Sequence, residues 1–217
     1  MKIIIPARLG SKGLPFKNRI LFEKTASIIP QEKAQEVWVT TDDPEIEFQA
    51  KAWGFNVINR PGELAQDESS VREVMLHAIR TIGLANRDLV LMLYLTYPER
   101  TWADVETATN FFLQYYQYGA TDSLLCKKEA KSHPYLCLEE TGIDSAFGKQ
   151  ITPHDLYRRQ TYPTCFELSH YISIFEAGSI YKLNSNLYSN NTVFFKIGDA
   201  VDIDEQKDLT LFNERHN

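Results

Sequence analysis

The sequence predicts an α/β domain, a three-layer sandwich whose mostly parallel sheet is covered by helices on both faces. Three observations lead there. Short runs such as Ile3-Ile4-Ile5 and Val37-Trp38-Val39 are apolar throughout rather than alternating, as strands buried on both faces are. Between such runs lie segments with helical apolar spacing, of which Val71, Val74, Met75, Ala78, Ile79 and Ile82 form the clearest stripe. The links between them are short. With 217 residues the chain can bury one sizeable core, so a single domain over residues 1–217 is expected.

Each element follows in order. Residues 3–5 open the sheet, and a loop with Gly10, Gly13, Pro15 and the cations Arg8, Lys12 and Lys17 follows. Residues 20–33 have room for one short helix, limited by Pro30. Residues 37–41 form the second strand. Asp42-Asp43-Pro44 then offers a cap and a first-turn proline to a helix over 45–53, ended by Gly54. Residues 55–58 are a third strand, and the polar loop 59–68 leads to a helix over about 69–82. Residues 89–93 read as a central strand, 94–100 as its exit loop, 102–118 as a helix and 121–126 as a strand.

The rhythm changes from about Lys127 to Tyr171. Short apolar pieces such as Tyr135-Leu136-Cys137-Leu138 are separated by Gly142, Gly148 and Pro153, which predicts an antiparallel insertion. A strand near 172–175, a short helix to Leu183, a strand over 192–197 and a last helix over about 205–215 complete the chain. The aromatic residues between Phe111 and Tyr118 read as helix and core packing.

Composition excludes several classes. The formal charge of −6, with no basic arm, argues against nucleic acid as the main partner. The cations instead concentrate in the loop 8–17, which suits a small anion. Cys126, Cys137 and Cys165 are odd in number and lack C-x-x-C spacing, so they read as reduced thiols of a cytoplasmic protein rather than a disulfide frame or zinc site. The N-terminal apolar run is too short for a signal peptide. The most apolar stretch, 89–97, is about half a membrane span, so no membrane partner is expected.

Two stretches carry candidate chemistry. In the first loop, glycines allow tight turning, main-chain N–H groups can converge on an anion, and three cations supply charge for a polyphosphate. A basic surface loop is the plainer reading. Neither G-x-x-x-x-G-K-[S/T] nor G-x-G-x-x-G is present. In the second, Asp202 and Asp204 sit two apart in an extended segment and should project from one face, which suits Mg²⁺ completed by water and phosphate. The alternative is that Asp204 caps the following helix and Asp202 is solvated. His77, His133 and His154 read as structural or surface residues, and Ser11 lacks a partner that would activate it.

The string Ala7-Arg8-Leu9-Gly10-Ser11-Lys12-Gly13-Leu14-Pro15-Phe16-Lys17-Asn18 resembles the A-R-x-x-S-K-G-L-P-x-K-N signature of the acylneuraminate cytidylyltransferases, or CMP-sialic acid synthetases. Those enzymes activate nonulosonic acids with CTP. Four further blocks resemble the family in the same order: Val39-Thr40-Thr41-Asp42-Asp43, the run from Arg60-Pro61 to Gln66-Asp67, Arg159-Gln160 with Pro163, and Val201-Asp202-Ile203-Asp204 with Asp208-Leu209. The resemblance covers almost the entire chain.

It implies a Rossmann-like sheet of the nucleotide-diphospho-sugar transferase type, with a small antiparallel dimerisation insertion at about 127–171. It implies transfer of CMP from CTP to a nonulosonic or related 2-keto sugar acid, with pyrophosphate released, by a homodimer that uses Mg²⁺. Arg8, Lys12 and Lys17 would be the catalytic cations. Ala7, Arg8, Leu9, Gly10, Ser11, Lys17, Asn18, Arg60 and Asp67 would surround the nucleotide, and Asp202 and Asp204 would hold the metal. Arg159 would reach the sugar acid, often in the neighbouring subunit.

The chain departs from the pattern on the acceptor side. The family's L-Q-P-T-S-P-x-R-T loop appears as Leu93 to Thr101 with Tyr94 in place of glutamine. The F-R-P-N-G segment appears as Phe166-Glu167-Leu168-Ser169-His170. Tyr94, Arg159, Ser169 and His170 are therefore the expected acceptor contacts, and sialic acid itself is not the expected substrate. Another sugar nucleotidyltransferase, a glycosyltransferase and a non-catalytic nucleotide-binding homologue remain the alternatives.

Overall fold

The structure is a computed structural model that describes residues 1–141 and 147–216. Gly142, expected to break the insertion, lies outside the described residues. The chain begins with β1 (Lys2–Pro6), α1 (Lys17–Ser27), β2 (Val37–Thr41), α2 (Pro44–Ala52) and β3 (Asn56–Asn59). It continues through α3 (Val71–Ile82), β4 (Leu89–Met92), α4 (Trp102–Tyr116) and β5 (Ser123–Glu129). After the hairpin of β6 (Leu138–Thr141) and β7 (Phe147–Gln150) come β8 (Phe166–Glu176), β9 (Thr192–Lys196) and α5 (Gln206–His216).

Seven strands form one sheet in the order β3-β2-β1-β4-β8-β5-β9. β1 pairs in parallel with β2 and β4, β2 with β3, and β5 with β9; β8 is antiparallel to both of its neighbours. The sheet is mostly parallel, as the apolar runs require. Alternation along β1 puts one isoleucine set on each face. Ile3 and Ile5 join a core with Phe22 of α1, Ile46 of α2, Phe112 of α4 and Phe212 of α5. Ile4 joins the opposite core with Val74, Met75 and Ile79 of α3. The helices thus cover both faces.

Three expectations change. Residues 166–171 belong to the main sheet: β8 runs 11 residues and pairs with β5 as far as Glu129 opposite Phe166. Their polar alternation hid the strand, because β5 and β8 extend together beyond the fully covered sheet, where Lys128 and Glu167 pair at 3.2 Å. The expected short helix before Leu183 is a 3₁₀ turn, Ala177–Tyr181. Tyr118 is 81 % exposed and so lies outside the core packing expected of it.

The strand order fixes where a ligand can sit. From β1 the chain moves outward to β2 and β3, then returns to place β4 on the other side of β1. The carboxyl end of β1 is therefore a switch point, where the flanking loops diverge and leave a crevice. Among the described residues no helix is long and apolar enough to cross a membrane.

Candidate active site

The glycine loop leaves β1 into that crevice, and its shape is set by local bonds. The Asn18 side-chain amide donates to the Arg8 carbonyl at 2.8 Å, closing the loop on the start of α1. The Leu9 N–H donates to Asp42 at 2.9 Å, tying the loop to the end of β2. Ala7 is buried and donates to the Thr40 carbonyl at 3.0 Å.

The expected role of the glycines is corrected here. Neither Gly10 nor Gly13 has a positive φ; the left-handed residue in this loop is Phe16, at φ 55°. Gly13 is needed for space, since a Cβ there would collide with the Asp204 carbonyl oxygen. Gly10 has no such neighbour. Phe16 is held by Arg19, whose guanidinium lies 4.8 Å from the ring centre and forms a fork on Asp43 at 2.7 and 2.8 Å. Asp43, not Asp42, caps α2.

A cavity of about 300 Å³ opens beside the loop, lined by Arg8, Gly10, Ser11, Lys17, Asn18, Arg60, Tyr94, Thr96, Tyr97, His170, Asp202 and Asp204, with Pro6, Val71 and Val74. Residues from both ends of the sequence therefore meet at one site. Lys12 and Asp67 stand outside this lining and pair with each other at 2.9 Å, while Arg8 reaches Asp67 at 2.6 Å. Bonds from Lys12 and then Arg8 hold the Asp67 carboxyl below its ordinary range.

Arg60 is 5 % exposed. It donates to the Thr40 carbonyl at 2.7 Å and to the Thr40 hydroxyl at 3.4 Å, and forms no ion pair among the described residues. Burial lowers its pKa to about 10, opposed by the charge of Asp42. A buried cation facing a cavity without a counter-ion is a strong site for an anionic or strongly accepting ligand.

The segment 201–204 is strung along the exit of β4. Ile203 N–H donates to the Thr96 carbonyl at 2.8 Å and Val201 N–H to the Glu99 carboxylate at 2.9 Å. Asp202 and Asp204 consequently face one cavity. Asp204 is not the helix cap: the Asp208 carboxylate takes that part, accepting from the N–H groups of Asp204 and Glu205 at 3.0 and 2.8 Å. Nor is Asp202 simply solvated. It accepts from the Tyr97 hydroxyl at 2.8 Å, and burial raises its pKa. Asp204 meets Lys17 at 2.7 Å. Among the described residues there is no cluster of three or more His, Cys, Asp or Glu that would cage a metal. Two carboxylates are nonetheless a donor set that Mg²⁺ uses when water and phosphate complete its shell.

The expected acceptor residues divide. Tyr94 and His170 line the cavity. Ser169 is buried just behind it and donates to the Tyr97 hydroxyl at 3.4 Å. Arg159 is exposed on a 3₁₀ turn and does not line this cavity.

Sequence reasoning passed over Tyr97, which holds Asp202, and Arg100, which is 2 % exposed. Arg100 donates to the carbonyls of Tyr171 and Tyr94 at 2.7 and 2.8 Å, fixing the β4 exit loop against β8. The signal for both was their place in the 93–101 block, where only the altered position was weighed.

Residues 2–98 match the cytidylyltransferase family model. The chain is 28% identical to the post-translational flagellin modification protein B of Campylobacter coli, over 95% of this chain and 91% of that protein. It is 38% identical to N-acylneuraminate cytidylyltransferase B of Danio rerio over 36% of this chain, a match that spans 20% of that longer protein. Its fold is similar to that of the solved CMP:2-keto-3-deoxy-manno-octonic acid synthetase complexed with CTP, with a TM-score of 0.66 and 17% identity over 99% of this chain and 97% of that one. The part of the chain from β1 through β4 and its exit loop thus matches the cytidylyltransferase family.

Proposed function

We infer that the chain transfers CMP from CTP to a nonulosonic or related 2-keto sugar acid and releases pyrophosphate. The observation that carries this is the shared cavity at the β1 switch point, where Arg8, Lys17 and Arg60 meet Asp202 and Asp204. The sugar-acid class is supported by the similarity to an N-acylneuraminate cytidylyltransferase.

In this reading the acceptor's hydroxyl oxygen attacks the α-phosphorus in line. A new P–O bond forms, the bond to the bridging oxygen of pyrophosphate breaks, and the hydroxyl proton is lost. Such a displacement is accelerated by positioning and charge neutralisation more than by covalent help. Arg8 and Lys17 hold the phosphates and stabilise the charge that departs with pyrophosphate. Asn18 keeps the loop closed, and Arg60 supplies fixed donors to the nucleotide. Lys12 and Asp67 act from the rim, Asp67 by holding Arg8 and Lys12 in place before the phosphates arrive. Asp202 and Asp204 would hold Mg²⁺, which supplies Lewis-acid neutralisation of phosphate charge when bound. A cytoplasmic homodimer, with Arg159 meeting the sugar carboxylate in the partner's site, completes the proposal.

The test is pyrophosphate release with CTP, Mg²⁺ and a panel of nonulosonic acids. Turnover with at least one acid and none with sugar nucleotides as donors is expected. CTP binding without turnover across the panel would instead favour a non-catalytic binding protein, and release of UDP or CMP from a sugar nucleotide a glycosyltransferase.

A further inference from the structure

Behind the cavity a chain of hydrogen bonds runs in one direction toward Asp202. It starts in β8, where the Tyr171 N–H donates to the Ser169 hydroxyl oxygen at 3.3 Å. Ser169 is buried, and its hydroxyl donates in turn to the Tyr97 oxygen at 3.4 Å. Tyr97, also buried, then donates to Asp202 Oδ2 at 2.8 Å. Each hydroxyl owns one proton, so the ends set the polarity of the chain: a main-chain N–H can only donate, and an ionised carboxylate can only accept. The scaffold around it is firm. The Tyr171 ring meets the Tyr97 ring edge to face, with centres 5.5 Å apart at 81°. The Tyr171 hydroxyl is tied to Asp104 at 2.9 Å and its carbonyl to Arg100 at 2.7 Å. Ser169 stands opposite Cys126 in the register of β5 and β8.

We propose that Ser169 and Tyr97 are positioning residues for Asp202, a one-way chain that holds its carboxylate for a divalent cation, so that Ser169 serves the cation side of the site and not the acceptor. Its kinetic arm rests on the cytidylyl-transfer reading above. The protons of both hydroxyls are spent within the chain, and Ser169 stands behind the cavity lining rather than in it. Hydrogen bonds that run head to tail also polarise and strengthen one another. Loss of such an outer partner of a metal-binding carboxylate costs roughly 10- to 100-fold in metal affinity or activity.

The probe is Mn²⁺, its binding followed by loss of the free ion's paramagnetic resonance signal, with CTP present and absent. Circular dichroism melting checks that each variant is folded. Tyr97→Phe keeps the ring against Tyr171 and should weaken Mn²⁺ binding roughly tenfold or more. Ser169→Ala should weaken it less, and should have no further effect in a Tyr97→Phe background, because Ser169 acts through the Tyr97 hydroxyl. Ser169→Cys, which keeps the volume and donates only weakly, takes the place of Ser169→Ala if that variant does not fold. In pyrophosphate release, Ser169→Ala should lower kcat at limiting Mg²⁺ and leave the acceptor KM in place. Wild-type Mn²⁺ affinity in folded Tyr97→Phe, additive losses in the double variant, or a raised acceptor KM with Mn²⁺ binding intact in Ser169→Ala would each overturn the chain. A wild-type protein that binds no Mn²⁺ in either condition overturns it as well. Failure of the transfer reading is distinct: no pyrophosphate release with any acid would remove that reading, and the Mn²⁺ measurements would still decide the positioning.

Discussion

Lys17 Nζ stands 2.7 Å from Asp204 Oδ1, so the first residue of α1 meets the carboxylate that precedes α5 across 187 positions of sequence. The contact joins the cation proposed for the phosphates to a carboxylate proposed for the metal, and each neutralises the other. The Asp204 side chain is 67% exposed, so the pair contributes little to stability. Lys17→Ala should therefore melt close to the wild-type temperature while losing turnover by roughly a hundredfold, about 3 kcal/mol of transition-state stabilisation. Near-normal pyrophosphate release from the folded variant would remove Lys17 from the chemistry.

Asp202 carries a cost that its neighbour does not. Burial raises its pKa, the Tyr97 hydroxyl opposes the rise, and the charge of Asp204 adds to it. A carboxyl whose folded pKa lies above its unfolded value gives stability in the protonated form, complete below the unfolded pKa and lost as pH rises through the folded one. At neutral pH the ionised group is thus unfavourable in the ligand-free fold. Asp202→Asn is expected to raise the melting temperature at neutral pH, with the gain shrinking as pH falls into the carboxyl range. The same variant should lose activity and need more Mg²⁺, as should Asp204→Asn, since an amide lacks the charge a hard cation prefers. Melting curves across pH and a Mg²⁺ titration check the two halves. A lower melting temperature at neutral pH, or wild-type Mg²⁺ dependence in both variants, would show the pair to be something other than a cation site.

Gly13 meets Asp204 at the backbone rather than through a side chain. Its hydrogen faces the Asp204 carbonyl oxygen, with no room for a Cβ. Gly13→Ala should push the loop 7–18 and the 202–204 segment apart, and a displacement of about 1 Å at such a site can cost roughly a hundredfold in rate. Gly10→Ala, whose Cβ meets nothing within 4 Å, should cost far less. Comparing the two variants by kcat at saturating CTP separates a steric effect from a general effect of removing glycine. Equal losses would mean the loop needs backbone freedom at both positions.

Much of this was legible in the sequence, for identifiable reasons. Ile3-Ile4-Ile5 announced a strand buried on both faces because neither side of β1 meets water. The loop 7–18 and the pair Asp202 and Asp204 stood out through the family resemblance, since spacing alone left a basic surface loop and a helix cap open. Phe16 was not: a left-handed bulky residue has no compositional mark, and the glycines beside it drew the eye. Arg100 reads as a surface cation until its three protein acceptors are seen. The extent of β8 was hidden because its first residues pair only with β5, outside the buried sheet, where polar residues are tolerated. The Lys12–Asp67 and Lys17–Asp204 pairs are long-range contacts that periodicity cannot reach.

The last prediction concerns the projection between β5 and β8. The described residues between 130 and 165 lie outside the main sheet, include the paired strands β6 and β7, and expose large apolar side chains: Leu138 at 63%, Ile151 at 61% and Tyr157 at 96%. A segment this small cannot build its own core, and a cluster of exposed apolar groups marks an interaction surface. Arg159 lies on the same projection, exposed and away from the cavity of its own chain. The proposed two-fold dimer accounts for both facts, burying the apolar residues and delivering Arg159 to the partner's cavity. Sedimentation should then give a dimer mass, and Tyr157→Ser with Ile151→Ser should weaken the dimer. Arg159→Ala and Lys17→Ala should each be nearly inactive alone, the first through a raised acceptor KM. Mixed under subunit exchange, they should recover roughly a quarter of wild-type activity, because half of the dimers are mixed and each of those has one site with both residues intact. If the projection instead folds back as a lid on its own site, the protein is a monomer and mixing restores nothing. A dimer without recovery would keep the interface and remove Arg159 from the partner's site.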